Sequence, residues 1–175
     1  TVIRLDAMGR ADAAAIAPFP FALLRLEGDV EERLAREKAG AVEDWFRAAL
    51  RDNRWRDRQA GRPLIGPQAS DLLVSHGPKN EEAAFCSTGE QKALLIGLIL
   101  AQARLIAQIR GEPPVLLLDE IAAHLDESRR AALFAMLDAL GAQAFMTGTD
   151  CRLFEALPSG GLCCAVHDGR VEPFA

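Results

Sequence analysis

The C-terminal half of the chain predicts an α/β fold with parallel strands and flanking helices, and three observations carry that prediction. From Gln91 onward helical and strand patterns alternate: a helix (Gln91 to Arg110), a strand in PVLLLDE, a helix (Ser128 to Leu140), a strand in AQAFMTG, a short helix (Cys151 to Leu157) and a closing strand in LCCAVHDGRV. Such alternation is the signature of helices packed on a mostly parallel sheet. Val115-Leu116-Leu117-Leu118 is a continuous apolar run, the pattern of a parallel strand covered by helices on both faces. The run ends in Asp119-Glu120, which places two carboxylates at the C-terminal end of a strand, where open α/β sheets bind ligands.

The N-terminal half is less regular. Thr1 to Ala17 carries Val2, Leu5 and Met8 at helical spacing and reads as the tail of a helix. Pro18 to Gly28 alternates as a strand, with Phe21, Leu23 and Arg25 on one side. Asp29 to Ala60 is the longest helical candidate, with Val30, Leu34, Val42, Trp45, Phe46, Ala49 and Leu50 at spacings near three and four and Gly40 as a point of interruption. RPLIGP and SDLLVSHG then predict two short strands joined around Gly66-Pro67.

Composition narrows the classes of function. A chain of 175 residues that is 50% hydrophobic and 26% charged can bury a core and does not resemble a disordered segment. Arg104 and two glutamines interrupt the most apolar stretch, Ala93 to Ile109, so no unbroken run reaches the roughly 18 residues of a spanning helix. A signal-peptide pattern is absent, and the four cysteines (Cys86, Cys151, Cys163, Cys164) lack zinc-ligand spacing. The expectation is a reduced, cytoplasmic protein with no membrane partner and with Cys163 and Cys164 as small core fillers. A net charge of −5 argues against general coating of nucleic acid. The three histidines, His76, His124 and His167, form no pair at metal-ligand spacing. The first residue is Thr1 rather than Met, and the chain is expected to be a fragment.

Two motifs carry chemistry. Ser87-Thr88-Gly89-Glu90 opens the long apolar helix and reads as a capping box. The same geometry leaves backbone amides at a positive helix end, the arrangement that holds phosphate oxygens, and the motif alone leaves both readings open. Downstream, four apolar residues followed by Asp-Glu suit a magnesium-nucleotide site, in which Asp119 would hold Mg²⁺ through water and Glu120 would polarise an attacking water.

Taken in order, STGEQK, VLLLDE, AAHLD and AFMTGTD resemble the C-terminal half of an ABC-type ATPase head of the SMC, Rad50 and RecF kind. Within that group the stretch LIGPQASDLLVSHGPKNEEAAFCSTGEQKALLIGLILAQARLIA is most similar to the RecF family of bacterial recombination and gap-repair ATPases. The resemblance is dense from Arg62 to Phe174, looser from Pro18 to Gly61 and weakest before that. It implies residues 62–175 as the C-terminal part of the head and residues 1–61 as part of a helical second lobe with one strand. It also assigns roles. Ser87 and Gly89 fall on the signature motif that contacts the γ-phosphate of ATP on the opposite protomer, with Glu90 and Lys92 in its SMC-like continuation. Asp119 falls on the Walker B metal-binding aspartate and Glu120 on the catalytic glutamate. Ala122 to Asp126 is the D-loop, with Asp126 crossing to the partner. The family's switch histidine is replaced here, at about Thr149.

No GxxxxGK[ST] loop occurs in the sequence; GPKN at Gly77 to Asn80 lacks its spacing and its Ser/Thr. The resemblance places that loop upstream, so this chain is expected to supply half of an ATP site, to be inactive alone, and to expose a sheet edge and apolar surface where the missing lobe packs. The complete protein is expected to dimerise through ATP and Mg²⁺, to bind duplex DNA at gap junctions, to work with RecR, and to support RecA loading in DNA replication, repair, recombination and the SOS response.

Arg47, Arg51, Arg54 and Arg58 fall at i, i+4, i+7 and i+11, one helical stripe that could follow DNA phosphates or simply be a solvated face paired with nearby acids. The competing reading of the whole chain is a non-catalytic module that binds DNA or protein through this stripe or an apolar face, its Asp-Glu pair being vestigial. A transporter ATPase is disfavoured by GEQK.

Overall fold

The structure, a computed structural model, describes residues 2–11, 13, 17–157 and 161–173, the side chain of His124 excepted. The helical expectation for residues 1–17 is met over α1 (Val2–Ala11); residues 13 and 17 are turn rather than helix, and residues 1, 12 and 14–16 lie outside the described residues.

Strand β1 (Ala22–Glu27) pairs antiparallel with β2 (Asp71–His76), from Ala22↔His76 to Glu27↔Asp71, and β2 pairs with the two-residue β3 (Glu81–Glu82). The alternation in β1 buries Ala22 and Leu24 rather than the Phe21, Leu23, Arg25 side. Close packing at the start of β1 explains Gly77, since a Cβ there would sit 2.1 Å from the Phe21 ring. The stretch before β2 is not a strand. Gly66 at φ 129 and Pro67 at the first position of a 3₁₀ turn (Pro67–Ala69) set a loop there.

Between β1 and β2 lie three helices rather than one: α2 (Asp29–Leu34), α3 (Ala39–Asp52) and α4 (Arg54–Ala60). The first break falls at residues 35–38, ahead of Gly40, which sits in the first turn of α3. Val42 is the only fully buried residue described on α2 to α4, so the apolar stripe read from the sequence is only partly covered; Val30 and Ala49 are half-buried, and Leu34 and Leu50 are exposed. Trp45 and Phe46 are half-buried, with the Arg33 guanidinium 4.1 Å above the Trp45 ring.

Helix α5 (Thr88–Arg110) is the central element. Ala93, Ile96, Leu100 and Ala103 pack with Leu116, Leu118, Leu133, Phe134 and Leu137 in one core. Leu94, Ala101 and Leu105 pack with Leu5, Ala22 and Leu24 in a second. The helix spans 23 residues and is long and apolar enough to cross a bilayer; here many of its apolar side chains are buried in these two cores, while Leu95 and Ile109 stay exposed.

After Gly111 closes α5 in the left-handed conformation (φ 82), β4 (Leu116–Leu118) runs parallel to β5 (Ala144–Met146), joined through α6 (Glu127–Leu140). This βαβ unit matches the expected parallel arrangement. Only one face of the pair is covered, however: Leu117 is 78% exposed and its register partner Phe145 56% exposed. The expected apolar surface is therefore present on the opposite face, and two-sided burial of VLLL is not. Strands β6 (Cys164–His167) and β7 (Arg170–Pro173) form a separate hairpin. Cys164 is exposed and Cys163 half-buried, so they do not fill a core.

Candidate nucleotide site

The register Leu118↔Met146 puts the residues that follow both strands side by side. Thr147 joins them. Its amide donates to the Leu118 carbonyl at 3.1 Å, its hydroxyl accepts from the Glu120 amide at 3.0 Å, and the same hydroxyl donates to Asp119 Oδ1. A single side chain thus orients the Asp119 carboxylate and fixes the backbone of Glu120. Glu120 sits at φ 54, ψ 15, in the left-handed region, a conformation that costs a residue with a Cβ about 1 kcal/mol or more and clusters at functional sites. The conformation turns the chain into the 3₁₀ segment Ile121–His124, leaving both carboxylates exposed at the strand ends. Thr149, the expected sensor position, is exposed and lies two residues beyond the threonine that meets the carboxylates. Sequence reading missed Thr147; the signal was available, because parallel pairing of VLLL with AFM aligns Asp119 with Thr147.

At the other motif, Ser87 caps α5 and Glu90 completes the capping box. Glu90 Oε2 accepts from the Ser87 amide at 3.0 Å and from the Ser87 hydroxyl at 2.8 Å. The second oxygen, Oε1, lies 2.5 Å from Lys79 Nζ. The Lys79 ammonium, followed by the two Ser87 donors, holds the Glu90 carboxyl down to about 2, and the same contact raises Lys79. GPKN is thus the turn between β2 and β3, and its lysine pairs with Glu90 at the start of α5. Gln91 Nε2 donates to the Ala83 carbonyl at 2.8 Å, which fastens the preceding 3₁₀ turn to α5. Gly89 has open space where a Cβ would be and is exposed, as is Ser87.

Asp126 caps α6: its Oδ1 accepts from the Arg129 amide at 2.8 Å and the Ser128 hydroxyl at 2.7 Å, and these bonds lower its carboxyl. Among the described residues no hydrogen bond or ion pair links the Asp119–Thr147–Glu120 group to the Ser87–Glu90–Lys79 group. No group of three or more His, Cys, Asp or Glu forms a metal cluster among them either.

Arg47 and Arg51 lie on α3 and Arg54 and Arg58 on α4, all exposed. The stripe breaks at Asn53, whose amide still bonds the Ala49 carbonyl at 3.0 Å and whose own carbonyl accepts from the Asp57 amide at 2.9 Å, so the two helices follow closely. Arg47 pairs with Glu43 at 2.6 Å; no ion pair involves Arg51, Arg54 or Arg58 among the described residues.

No protein-family model matches the chain. Among curated proteins, it is 64% identical over 154 residues to the DNA replication and repair protein RecF of Brucella abortus (strain 2308), covering 88% of this chain and 40% of that protein. It is 55% identical over 155 residues to RecF of Rhizobium etli (strain CFN 42), covering 89% of this chain and 41% of that protein. The chain therefore spans about two-fifths of the length of these relatives. Among solved structures, that of the recombination mediator protein RecF with ATP superposes with a TM-score of 0.70 at 18% identity, over 99% of this chain and 44% of the other. An Smc head bound to the C-winged helix domain of ScpA gives a TM-score of 0.55 at 15% identity, over 99% of this chain and 42% of the other.

Proposed function

We propose a function from one premise: the chain is RecF-like in sequence along most of its length and carries the α/β fold of the C-terminal part of an ABC-type ATPase head. On that premise it supplies one half of an ATP site in a DNA replication and repair ATPase. The observation that carries this reading is the Thr147 linkage, which from the end of β5 holds Asp119 and Glu120 together at the end of β4. Asp119 takes the metal-binding role and Glu120 the role of general base toward water. Ser87 and Gly89, at the start of α5, meet the γ-phosphate of ATP held by a partner head. Glu90 braces that turn, and Asp126 stands at the dimer seam.

The residues fit Mg²⁺. The ion is usually bound by one or two carboxylates together with substrate phosphates, without a dedicated protein cage, and Asp119 offers one carboxylate with its second oxygen free of hydrogen bonds among the described residues. When bound, the ion neutralises charge on the phosphate oxygens. The chain's own contribution is to orient Asp119 through Thr147, to hold Glu120 beside it, and to present the amides of the α5 start to an anion.

The exposed Leu117 and Phe145 support a further element of the reading: the rest of the protein, including a phosphate-binding loop absent from these residues, covers that face. In the complete protein ATP then lies between two heads and holds them together until hydrolysis. The arginines of α3 and α4 contact duplex DNA at gap junctions, and RecR and RecA loading belong to the same cytoplasmic pathway. The test is a chimera in which this chain replaces the matching stretch of the Brucella abortus relative. ATP hydrolysis by the chimera, and an ATP-dependent dimer trapped by Glu120→Gln, are expected. A chimera that dimerises on ATP but hydrolyses it equally well after Glu120→Gln would remove Glu120 from its role. A chimera that binds no ATP, while the arginines still bind DNA, would leave the non-catalytic DNA-binding module as the reading.

A further inference from the structure

We infer that Lys79, on the turn between β2 and β3, is a positioning residue for the trans phosphate contact at the start of α5, acting by neutralising Glu90. The inference rests on the reading of Ser87 and Gly89 given above, and deepens it.

Electrostatics at the helix end raises the problem that Lys79 solves. A helix N-terminus carries roughly half a unit of positive charge, which is what draws a phosphate oxygen to it. Glu90, in the first turn and ionised, places a full negative charge on the same spot. Uncompensated, that carboxylate would make the end net negative and would repel the γ-phosphate. Lys79 Nζ, 2.5 Å from Glu90 Oε1, cancels the carboxylate and returns the end to its positive value. Geometry adds a second effect. With Oε1 held by Lys79, Oε2 stays over Ser87 and accepts from both its amide and its hydroxyl. The capping turn is thereby fixed before any phosphate arrives. The Ser87 hydroxyl has a single proton, which here points to Glu90. Reaching a phosphate requires only that this hydroxyl rotate, because the amide–carboxylate bond keeps the turn in place.

Glu81, at the start of β3, acts on Lys79 in the same direction as Glu90, and Cys86 is buried beside it. The Lys79 side chain is 47% exposed and that of Glu90 25% exposed, so this is a surface pair whose removal leaves the fold intact. Its effect should therefore appear in binding.

The experiment uses the Brucella abortus chimera carrying Glu120→Gln, with ATP-dependent dimerisation followed by analytical ultracentrifugation. Lys79→Gln is expected to weaken the ATP-bound dimer about tenfold, Lys79→Arg to retain it, and Lys79→Gln with Glu90→Gln to recover most of the loss. The recovery follows because a glutamine at that position still caps the helix but carries no charge. A merely structural Lys79 would show no such recovery. Undiminished dimerisation in Lys79→Gln overturns the inference while leaving the ATP reading standing, and so does a double variant as weak as the single. If the parent chimera fails to dimerise with ATP, the reading of the site falls and this inference falls with it.

Discussion

Glu120 shows how a single residue ties conformation to role. It is a residue with a Cβ held at φ 54 by a hydrogen bond from its amide to Thr147, so local backbone preference has been overruled at the position proposed for water activation. Glu120→Gly relieves that strain at the cost of a more flexible unfolded chain, and the variant is expected to be as stable as the parent or up to about 1 kcal/mol more stable. Urea unfolding of this chain checks it; a marked loss of stability would show the conformation to be unstrained. Thr147→Val removes both side-chain hydrogen bonds while keeping shape, and is expected to cost about 1 kcal/mol, since the stranded Asp119 and Glu120 groups are solvent-exposed. In the chimera, Thr147→Ser should retain ATP hydrolysis and Thr147→Val should lose most of it. Glu90 provides a pH readout. Its folded value of about 2 lies below its ordinary 4.5, so the small stability this exposed contact adds is present in full only above the ordinary value and disappears as pH falls through the folded one. Carboxyl NMR titration should place Glu90 there, and Lys79→Gln should move it up toward 4.5 while Ser87 keeps it partly depressed.

The elements divide into those whose pattern could be read in the sequence and those whose boundaries depended on packing. Helix α5 announced itself by its capping box and apolar length, and β4, α6 and β5 by their alternation. Leu100 lies within the α5 core at 2% exposure, and Leu100→Ala is expected to destabilise the chain by about 2–5 kcal/mol, measurable by denaturant unfolding. The stretch from Asp29 to Ala60 was harder, because an apolar spacing does not say what it packs against. Its helical candidate, with one interruption expected at Gly40, is three helices, and of the apolar residues at helical spacing only Val42 is fully buried. The contacts of Lys79 and Thr147 were hidden for a related reason: each depends on a partner outside its own element, and only turn geometry for Lys79 and strand register for Thr147 bring the pair together. At the same scale, Arg51 at the end of α3 and Arg54 and Arg58 on α4 are exposed arginines on consecutive helices. Replacing these three with Gln should weaken duplex binding uniformly across sequences and reduce the salt slope by about one unit for each phosphate no longer neutralised. Unchanged slopes would return these arginines to a solvated face.

At the scale of the molecule, the parallel pair is covered on one side only, with Leu117 and Phe145 exposed in register. That asymmetry predicts opposite outcomes for one substitution. Leu117→Lys with Phe145→Lys should make the isolated chain more soluble and lower its dye binding, yet should prevent assembly of an active chimera, because a charged pair cannot be buried against a second layer. A chimera that tolerates both lysines would show the face to be free in the complete protein. The antiparallel pair β1–β2 has a different consequence. Its strands meet from Ala22↔His76 to Glu27↔Asp71, so everything from residue 28 to 70, helices included, is topologically the loop of a hairpin. Closing such a loop costs entropy that grows only logarithmically, about 0.6 kcal/mol for each doubling of length. The insertion point is therefore nearly indifferent to how much chain it carries, and an arm there could lengthen, shorten or be exchanged over evolutionary time while the strands that anchor it stay paired.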